Sequence, residues 1–173
     1  MKNKQKGFTL IEILVITSMI AIISVMLVVN WRKNEDQYKI QRAAQEIAQN
    51  IRKAQEMALN SFKYEDEVPY NYGVYFRRTI PNSYKVYADI NGNNRYNGAS
   101  DLTVKDVSLE GVEIYYFSTG TIRLDFLFSI PDGFTIFYPI VDSASVIIRK
   151  PNGSCPDDCK TITVNSTGQI NIE

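Results

Sequence analysis

The side chains that could do chemistry in this chain are few, and histidine is not among them. The 173 residues include no His and only two Cys. Without an imidazole, the sequence excludes triads of the Ser-His-Asp or Cys-His kind and zinc or haem sites that depend on histidine. The pattern also places no two carboxylates together in a cleft, as an acid–base pair would need. We therefore expect no enzyme activity.

The charge balance argues against a strongly electrostatic partner. The chain has 19 Lys and Arg residues against 19 Asp and Glu residues, so its formal charge is zero. Nucleic-acid-binding domains normally show a basic excess. The length indicates one modest fold unit.

One carboxylate lies within a long apolar run. The run from Phe8 to Val29 reads FTLIEILVITSMIAIISVMLVV and is interrupted only by Thr, Ser and Glu12. At about 1.5 Å per residue it extends roughly 33 Å, enough for a hydrocarbon core of about 30 Å. A carboxylate in lipid costs about 2.5–3.5 kcal/mol, so Glu12 needs a partner or a place near the interface. A cut between Gly7 and Phe8 would supply such a partner, a new ammonium at nearly the same depth.

The charges around this run predict its orientation. Lysines occupy three of the first six positions, whereas Glu35 and Asp36 soon follow the run. The positive-inside rule then places residues 1–7 in the cytoplasm and the chain after Asn30 outside. The sequence predicts a single membrane span over residues 8–30.

A second helical pattern follows directly. Neither Pro nor Gly occurs between Gly7 and Pro69, and the apolar residues beyond the run step by three or four. These residues are Ile40, Ala44, Ile47, Ile51, Ala54, Ala58 and Phe62. We predict one helix from about Phe8 to Phe62, in which residues 31–62 are amphipathic and need a domain to cover their apolar stripe.

From Tyr70 onward the pattern alternates, which predicts β-strands. The candidate strands are NYGVYFRR, SYKVYAD, VEIYYFS, TIRLDFLF, FTIFYPI, SVIIRK, KTITVN and QINIE. We predict one twisted antiparallel sheet in a globular β-rich head, residues 63–173, packed on the helix stripe in an α+β lollipop. We expect the tyrosines to be strand and surface aromatics rather than a stacking surface for sugars or nucleic acid.

The stretch between the second and third candidate strands is rich in oxygen ligands. Its metal candidates are Asp89, Asn91, Asn93 and Asp101. An EF-hand loop needs Gly at its sixth position and a bidentate acid at its twelfth, where this chain has Asn94 and Ser100. We expect a solvated hairpin loop without a cofactor, and calcium is the alternative.

The two cysteines, Cys155 and Cys159, enclose Pro-Asp-Asp. The predicted span places them outside the cytoplasm, where thiols are readily oxidised, so we expect a disulfide bond. A zinc pair would lack its other ligands because the chain has no histidine. Redox catalysis is disfavoured because the neighbouring acids would raise a thiol pKa.

The residues KGFTLIE, from Lys6 to Glu12, resemble the processing site of type IV prepilins and pseudopilins. In that family a short basic leader ends in Gly, a Phe begins the mature chain, and a Glu stands at its fifth position. The resemblance implies a leader over residues 1–7, cleaved after Gly7 by a membrane peptidase that then methylates the amine of Phe8. It also implies that Glu12 recruits each subunit into a helical filament.

The DINGN stretch and the closing KTITV…GQI hairpin resemble the minor-pilin branch related to the H-type pseudopilin of type II secretion. Val29 stands where major pilins often have Pro. The resemblance implies a structural subunit of a type IV pilus or a type II secretion pseudopilus. Its partners would be prepilin peptidase, other pilin subunits, an inner-membrane assembly platform and, before assembly, membrane lipid. It would reside in the inner membrane with its N-terminus inside, and later in a periplasmic or cell-surface filament.

Some minor pilins of this kind take up DNA through basic residues near the end of the chain, which makes a competence pilus the alternative. The available cations are Arg149, Lys150 and Lys160. Such members would place arginines where this chain has Gln169, Ile170 and Asn171. We therefore expect a structural subunit rather than a DNA receptor.

Overall fold

The computed structural model describes residues 7–64, 66 and 68–173, with side chains described outside positions 27–34. Residues 1–6 of the predicted leader, and the side chains at the end of the predicted span, lie outside the described residues. Within the part of the chain that is described, no helix is both long enough and apolar enough to cross a membrane.

The chain divides into two compact units, Met1–Gln37 and Tyr38–Glu173. A single helix, α1, runs over Leu10–Leu59 and belongs in part to each unit. All the strands lie in the second unit.

Helix α1 ends at Leu59, before the predicted end at Phe62. Ser61 adopts a positive φ of 46°, which the helix cannot continue. The backbone N–H groups of Ser61 and Phe62 donate to the carbonyls of Ala58 and Met57, each at 3.0 Å. These two bonds form a Schellman-type C-cap, in which a serine takes the position that glycine usually holds. The helix therefore ends three residues before the approximate end predicted from the sequence, because this stop carries neither Gly nor Pro.

The predicted apolar stripe of α1 is confirmed up to Ala58. Its members are almost fully buried: Ile40, Ala44, Ile47, Ile51, Ala54 and Ala58. The last predicted member, Phe62, lies beyond the helix and is 52% exposed. Period-3.6 spacing therefore identified the buried face wherever the helix persists.

Nine strands follow within the described residues. They are β1 Asn71–Arg77, β2 Ser83–Asp89, β3 Leu102–Ser108, β4 Glu113–Phe117, β5 Arg123–Ser129, β6 Thr135–Tyr138, β7 Ser143–Arg149, β8 Cys159–Asn165 and β9 Ile170–Ile172. The first sheet has the order β3-β2-β1-β5-β6 and the second has the order β4-β7-β8-β9. Every pairing is antiparallel.

The single sheet predicted from the sequence is wrong, because the strands divide between two sheets. Alternation indicates which side chains share a face, but it does not identify the neighbouring strand. Strand β3, LTVKDVS, was also missed. It is an edge strand whose side chains are mostly exposed, so its apolar alternation is weak.

One apolar core joins the α1 stripe to both sheets. The first sheet contributes Tyr72, Phe76, Tyr84, Leu124, Phe126 and Phe128, and the second contributes Ile114, Phe117, Val146, Ile148, Ile162 and Val164. Burial of these side chains is the main favourable term in folding of the second unit. The predicted α+β fold, in which a helix packs on antiparallel sheet, is confirmed.

Candidate functional site

The predicted cleavage pair lies just before the helix. Residues 7–9 are not helical, and Phe8 is 76% exposed. A Cβ added at Gly7 would have no heavy atom of the described residues within 4 Å, its chain neighbours aside.

Glu12 closes a capping box with Thr9 at the start of α1. The backbone N–H of Glu12 donates to Thr9 Oγ1 at 3.3 Å, and the backbone N–H of Thr9 donates to Glu12 Oε2 at 3.5 Å. Reciprocal bonds of this kind satisfy two N–H groups that a helix leaves unpaired at its N-terminus. The sequence signal was the spacing T-x-x-E, which was overlooked. The carboxylate is therefore held at the backbone N–H of Thr9, the residue that follows Phe8, whose nitrogen the predicted cut would free.

The first part of helix α1, from Leu10 to Met26, exposes apolar side chains around its circumference. Those more than 40% exposed include Leu10, Ile11, Leu14, Ile16, Met19, Ile20, Ile23 and Met26. The hydroxyls of Thr17, Ser18 and Ser24 donate to carbonyls of the same helix at 3.0, 2.8 and 2.7 Å. The polar groups of this segment are thus satisfied internally, so its surface is suited to an apolar environment.

The candidate metal ligands of the stretch 89–101 are used by the stretch itself. Asp89 is fully buried, and its carboxylate accepts backbone N–H groups of Gly92 at 2.8 Å and Asn94 at 3.0 Å. Asp101 accepts the N–H groups of Ile90 at 3.3 Å and Asn97 at 2.6 Å. Each acid therefore closes a turn of the loop. Burial raises the pKa of Asp101, partly opposed by these bonds.

The two asparagine candidates form local turns. Asn91 Oδ1 accepts the backbone N–H of Asn93, and Asn93 Oδ1 accepts that of Arg95, both at 3.1 Å. Such Asx-turns are typical of Asn in loops. Within the described residues, no group of three or more Asp, Glu or Cys side chains is arranged to hold a metal ion.

Residues 90–101, the covering loop, fold over the outer face of the first sheet. The ring of Tyr96 lies 4.9 Å from that of Tyr75 and 5.1 Å from that of Tyr87, centroid to centroid. These rings form a second apolar cluster with Leu127. Both faces of the first sheet are therefore covered.

A buried acid on β5 anchors the covering loop. Asp125 is fully buried, and Arg123 donates to it from Nε at 2.7 Å. The backbone N–H of Tyr96 and the hydroxyl of Tyr87 also donate to Asp125, each at 2.9 Å. Arg123 donates in addition to the carbonyl of Tyr96 at 2.8 Å. Burial raises the pKa of Asp125, and the bonds from Arg123 oppose that rise.

Sequence reasoning missed this network. Its signal was R-x-D within an otherwise apolar strand, RLDFLFS, because residues two apart share a face. A lone acid on a buried strand face requires partners.

Cys155 and Cys159 form a disulfide bond with a Cα–Cα distance of 5.2 Å, as predicted. The bond closes the tip of the β7–β8 hairpin, whose strands pair from Arg149 and Cys159 onward.

The cations of the DNA alternative lie near this hairpin. Arg149 Nε donates to Glu113 Oε1 at 2.6 Å, so a carboxylate offsets its charge. Gln169 precedes the short strand β9, which contains Ile170 and Asn171.

Comparison with known proteins finds a match to the N-terminal sequence and a match to the fold. Residues 2–28 match the family described as "Prokaryotic N-terminal methylation motif". The fold is similar to that of the type IV minor pilin FimU of Pseudomonas aeruginosa strain PAO1, with a TM-score of 0.51. The chain carries a prokaryotic N-terminal methylation motif and has a fold similar to that of a type IV minor pilin.

The similarity to this pilin is one of fold rather than of sequence. The two chains share 12% identity over 77% of this chain and 91% of FimU. No curated protein sequence matches the chain significantly. The methylation motif covers the predicted cleavage pair, Glu12 and the exposed apolar segment, whereas the covering loop and the disulfide lie outside it.

Proposed function

We propose that the chain is a structural subunit, a minor pilin or pseudopilin, of a type IV pilus or type II secretion pseudopilus. The observation that carries this proposal is the position of Glu12, held by Thr9 at the start of an exposed apolar helix directly after the Gly7–Phe8 pair. The match to the methylation motif over the same residues supports it.

Processing is the first step. Prepilin peptidase cleaves after Gly7, removes the leader 1–7 and methylates the new amine of Phe8. The non-helical backbone at residues 7–9 and the exposure of Phe8 suit a peptidase that must enclose this bond.

Assembly follows from the new charge. Cleavage converts the amide nitrogen of Phe8 into an ammonium four residues before Glu12, and the capping box holds the carboxylate on that side of the helix. In the filament, the ammonium of a neighbouring subunit pairs with Glu12. The apolar surface from Leu10 to Met26 leaves the bilayer because neighbouring helices bury it again.

This sequence of steps implies the location and the partners. The precursor resides in the inner membrane with its N-terminus in the cytoplasm, surrounded by lipid. An inner-membrane assembly platform transfers the processed subunit to other pilin subunits. The β-rich part then lies in a periplasmic or cell-surface filament.

The test separates the charge of Glu12 from its capping role. Glu12→Gln keeps a side chain that can cap but removes the charge, whereas Thr9→Ala removes the cap and keeps the charge. We expect Glu12→Ala and Glu12→Gln to be processed normally yet absent from filaments isolated from the native host. Thr9→Ala should assemble, because a lost cap costs only about 1 kcal/mol. Glu56→Ala, on the exposed side of α1, is the matched control and should assemble normally.

Normal filament yield from Glu12→Gln would refute the charge-pairing step. The cleavage step has its own readout, since Gly7→Val should retain the seven leader residues in intact-mass measurement. Mature wild-type protein that begins with Met1 would refute the proposed processing.

A further inference from the structure

The edge strand β4 of the second sheet presents two tyrosines side by side. Ile114 pairs with Ile148 and Tyr116 pairs with Ile147, so Tyr115 is the extra residue of a β-bulge. A bulge places two consecutive side chains on one side of the strand. Tyr115 and Tyr116 are accordingly 43% and 39% exposed, whereas their neighbours Ile114 and Phe117 are buried.

Each of these rings is backed by an arginine. The guanidinium carbon of Arg78 lies 5.5 Å from the centroid of Tyr116, and that of Arg149 lies 4.0 Å from the centroid of Tyr115. Glu113 fixes Arg149 in turn, at 2.6 Å. We call Tyr115, Tyr116, Arg78 and Arg149 the tyrosine–arginine surface. Rings held in this way lose little conformational entropy when a ligand binds.

The surface carries a net positive charge. Arg149 is paired with Glu113, whereas Arg78 is exposed and no ion pair to it is found among the described residues. The backbone N–H of Arg78 donates to the carbonyl of Ile122 at 2.9 Å, which ties this turn to the start of β5. The Arg78 guanidinium, held over the Tyr116 ring, can thus meet an anionic group beside the tyrosines.

Hydroxyl groups extend the surface across the second sheet. Tyr116 and Thr161 are the cross-strand neighbours of Ile147 on either side. One row further, Ser145 and Thr163 share a hydrogen bond of 2.8 Å between their hydroxyl oxygens. These half-exposed side chains form a shallow polar floor next to the rings.

The sequence alone offers no reason to expect that tyrosines stack on sugars, but from this geometry we infer that the tyrosine–arginine surface binds an acidic polysaccharide. Tyrosine faces stack on the apolar C–H faces of pyranose rings, the hydroxyl floor can exchange hydrogen bonds with sugar hydroxyls, and Arg78 complements sparsely spaced carboxylates. Single-stranded nucleic acid fits less well. Its dense phosphates call for a strongly basic groove, whereas Glu113 pairs with Arg149 of this surface and the chain has a formal charge of zero.

The test measures binding of galacturonic acid hexamers to the full-length chain in detergent micelles. We expect Tyr116→Ala and Arg78→Gln each to raise the Kd about tenfold. Tyr38→Ala and Arg52→Gln, at exposed positions of α1, are matched controls and should leave the Kd unchanged. Thermal melting of each variant shows that the fold is intact.

The probe has two comparators, the neutral methyl ester of the same hexamer and an oligo-dT of similar length. Weaker binding of the ester by about tenfold would support recognition of the carboxylates. Equal binding of the ester, tighter binding of oligo-dT, or no binding of the hexamer would each overturn the inference. Normal binding by both the Tyr116 and Arg78 variants would also overturn it.

Discussion

Within the described residues each sheet carries an arginine–carboxylate pair, and the two pairs have nearly the same distance from Nε to the carboxylate oxygen. Arg123 lies 2.7 Å from Asp125 in the first sheet, and Arg149 lies 2.6 Å from Glu113 in the second. Both arginine side chains are 28% exposed. The acids differ, since the side chain of Asp125 is 0% exposed and that of Glu113 is 22% exposed.

The difference in burial comes from the covering loop. Residues 90–101 lie on the outer face of the first sheet and donate a backbone N–H to Asp125. The corresponding face of the second sheet carries the tyrosine–arginine surface instead. A buried pair is costly to break because the remaining partner stays desolvated, whereas an exposed pair is worth little. Similar contact distances therefore imply quite different energies.

Asp125→Ala should have the largest effect on stability. It leaves Arg123 without its acid and the hydroxyl of Tyr87 without its acceptor. We expect the free energy of unfolding to fall by about 4 kcal/mol, as for other buried pairs that lose one partner. Chemical denaturation of the full chain in detergent measures this change. Asp106→Ala, which removes an exposed ion-pair partner of Lys85 in the same sheet, should cost less than about 1 kcal/mol. Equal losses in the two variants would show that burial does not distinguish the pairs.

Gly73→Ala tests how Tyr87 reaches Asp125. Gly73 pairs with Tyr87 across the strands, and an added Cβ would lie 2.8 Å from Tyr87 Cε1 and 2.9 Å from the carbonyl oxygen of Phe126. The ring of Tyr87 cannot keep its position over β1 once Gly73→Ala places a methyl group there. We expect a loss of about 2 kcal/mol in denaturant unfolding, as for overpacking elsewhere. Gly98→Ala on the covering loop is the control, because its added Cβ would meet only the end of a tyrosine side chain. An unchanged free energy of unfolding in Gly73→Ala would mean that the strand shifts enough to accommodate the added methyl group.

The buried tyrosines of the first sheet should make stability depend on alkaline pH. Burial raises the pKa of Tyr84, partly opposed by the hydrogen bond that Asn50 donates at 2.6 Å. Above the ordinary phenol pKa of about 10, the unfolded chain loses this proton first, so stability falls as pH rises toward the raised value. By pH 11 the ionisation of Tyr84 in the unfolded chain should lower the free energy of unfolding by about 1.4 kcal/mol. Denaturation between pH 9 and 11 measures the slope, which Tyr84→Phe should reduce. An unchanged slope would contradict the assignment to Tyr84.

Glu113→Ala should have the smallest effect, at about 1 kcal/mol or less, because Arg149 can regain water when its acid is removed. Denaturant unfolding measures it beside Asp125→Ala. A loss as large as that of the Asp125 variant would eliminate the contrast between the two sheets.

Local patterns predicted much of the fold and part of the candidate site. The stripe from Ile40 to Ala58 followed from helical spacing, and the Cys155–Cys159 bond followed from proximity and compartment. The helix end at Leu59 did not follow, because its stop depends on the backbone angle of Ser61. The assembly role of Glu12 remains a prediction.

The partners of Asp125 could not be read from any window of sequence. Tyr87 and Tyr96 lie 38 and 29 positions away, and they meet Asp125 only because β1 separates β2 from β5 and the covering loop folds back. One sheet was expected where two are present for the same reason, since strand pairing also depends on residues far apart in the sequence.

The amino-acid sequence by itself determined the processing motif, the buried face of the helix and most of the strands, because each depends on residues a few positions apart. Only the tertiary structure decided which strands are neighbours, which sheet face is covered and which carboxylate is buried. Those properties depend on which distant segments pack on the same apolar surface. A periodic pattern shows that a segment has an apolar face, but it does not show which other segment covers that face.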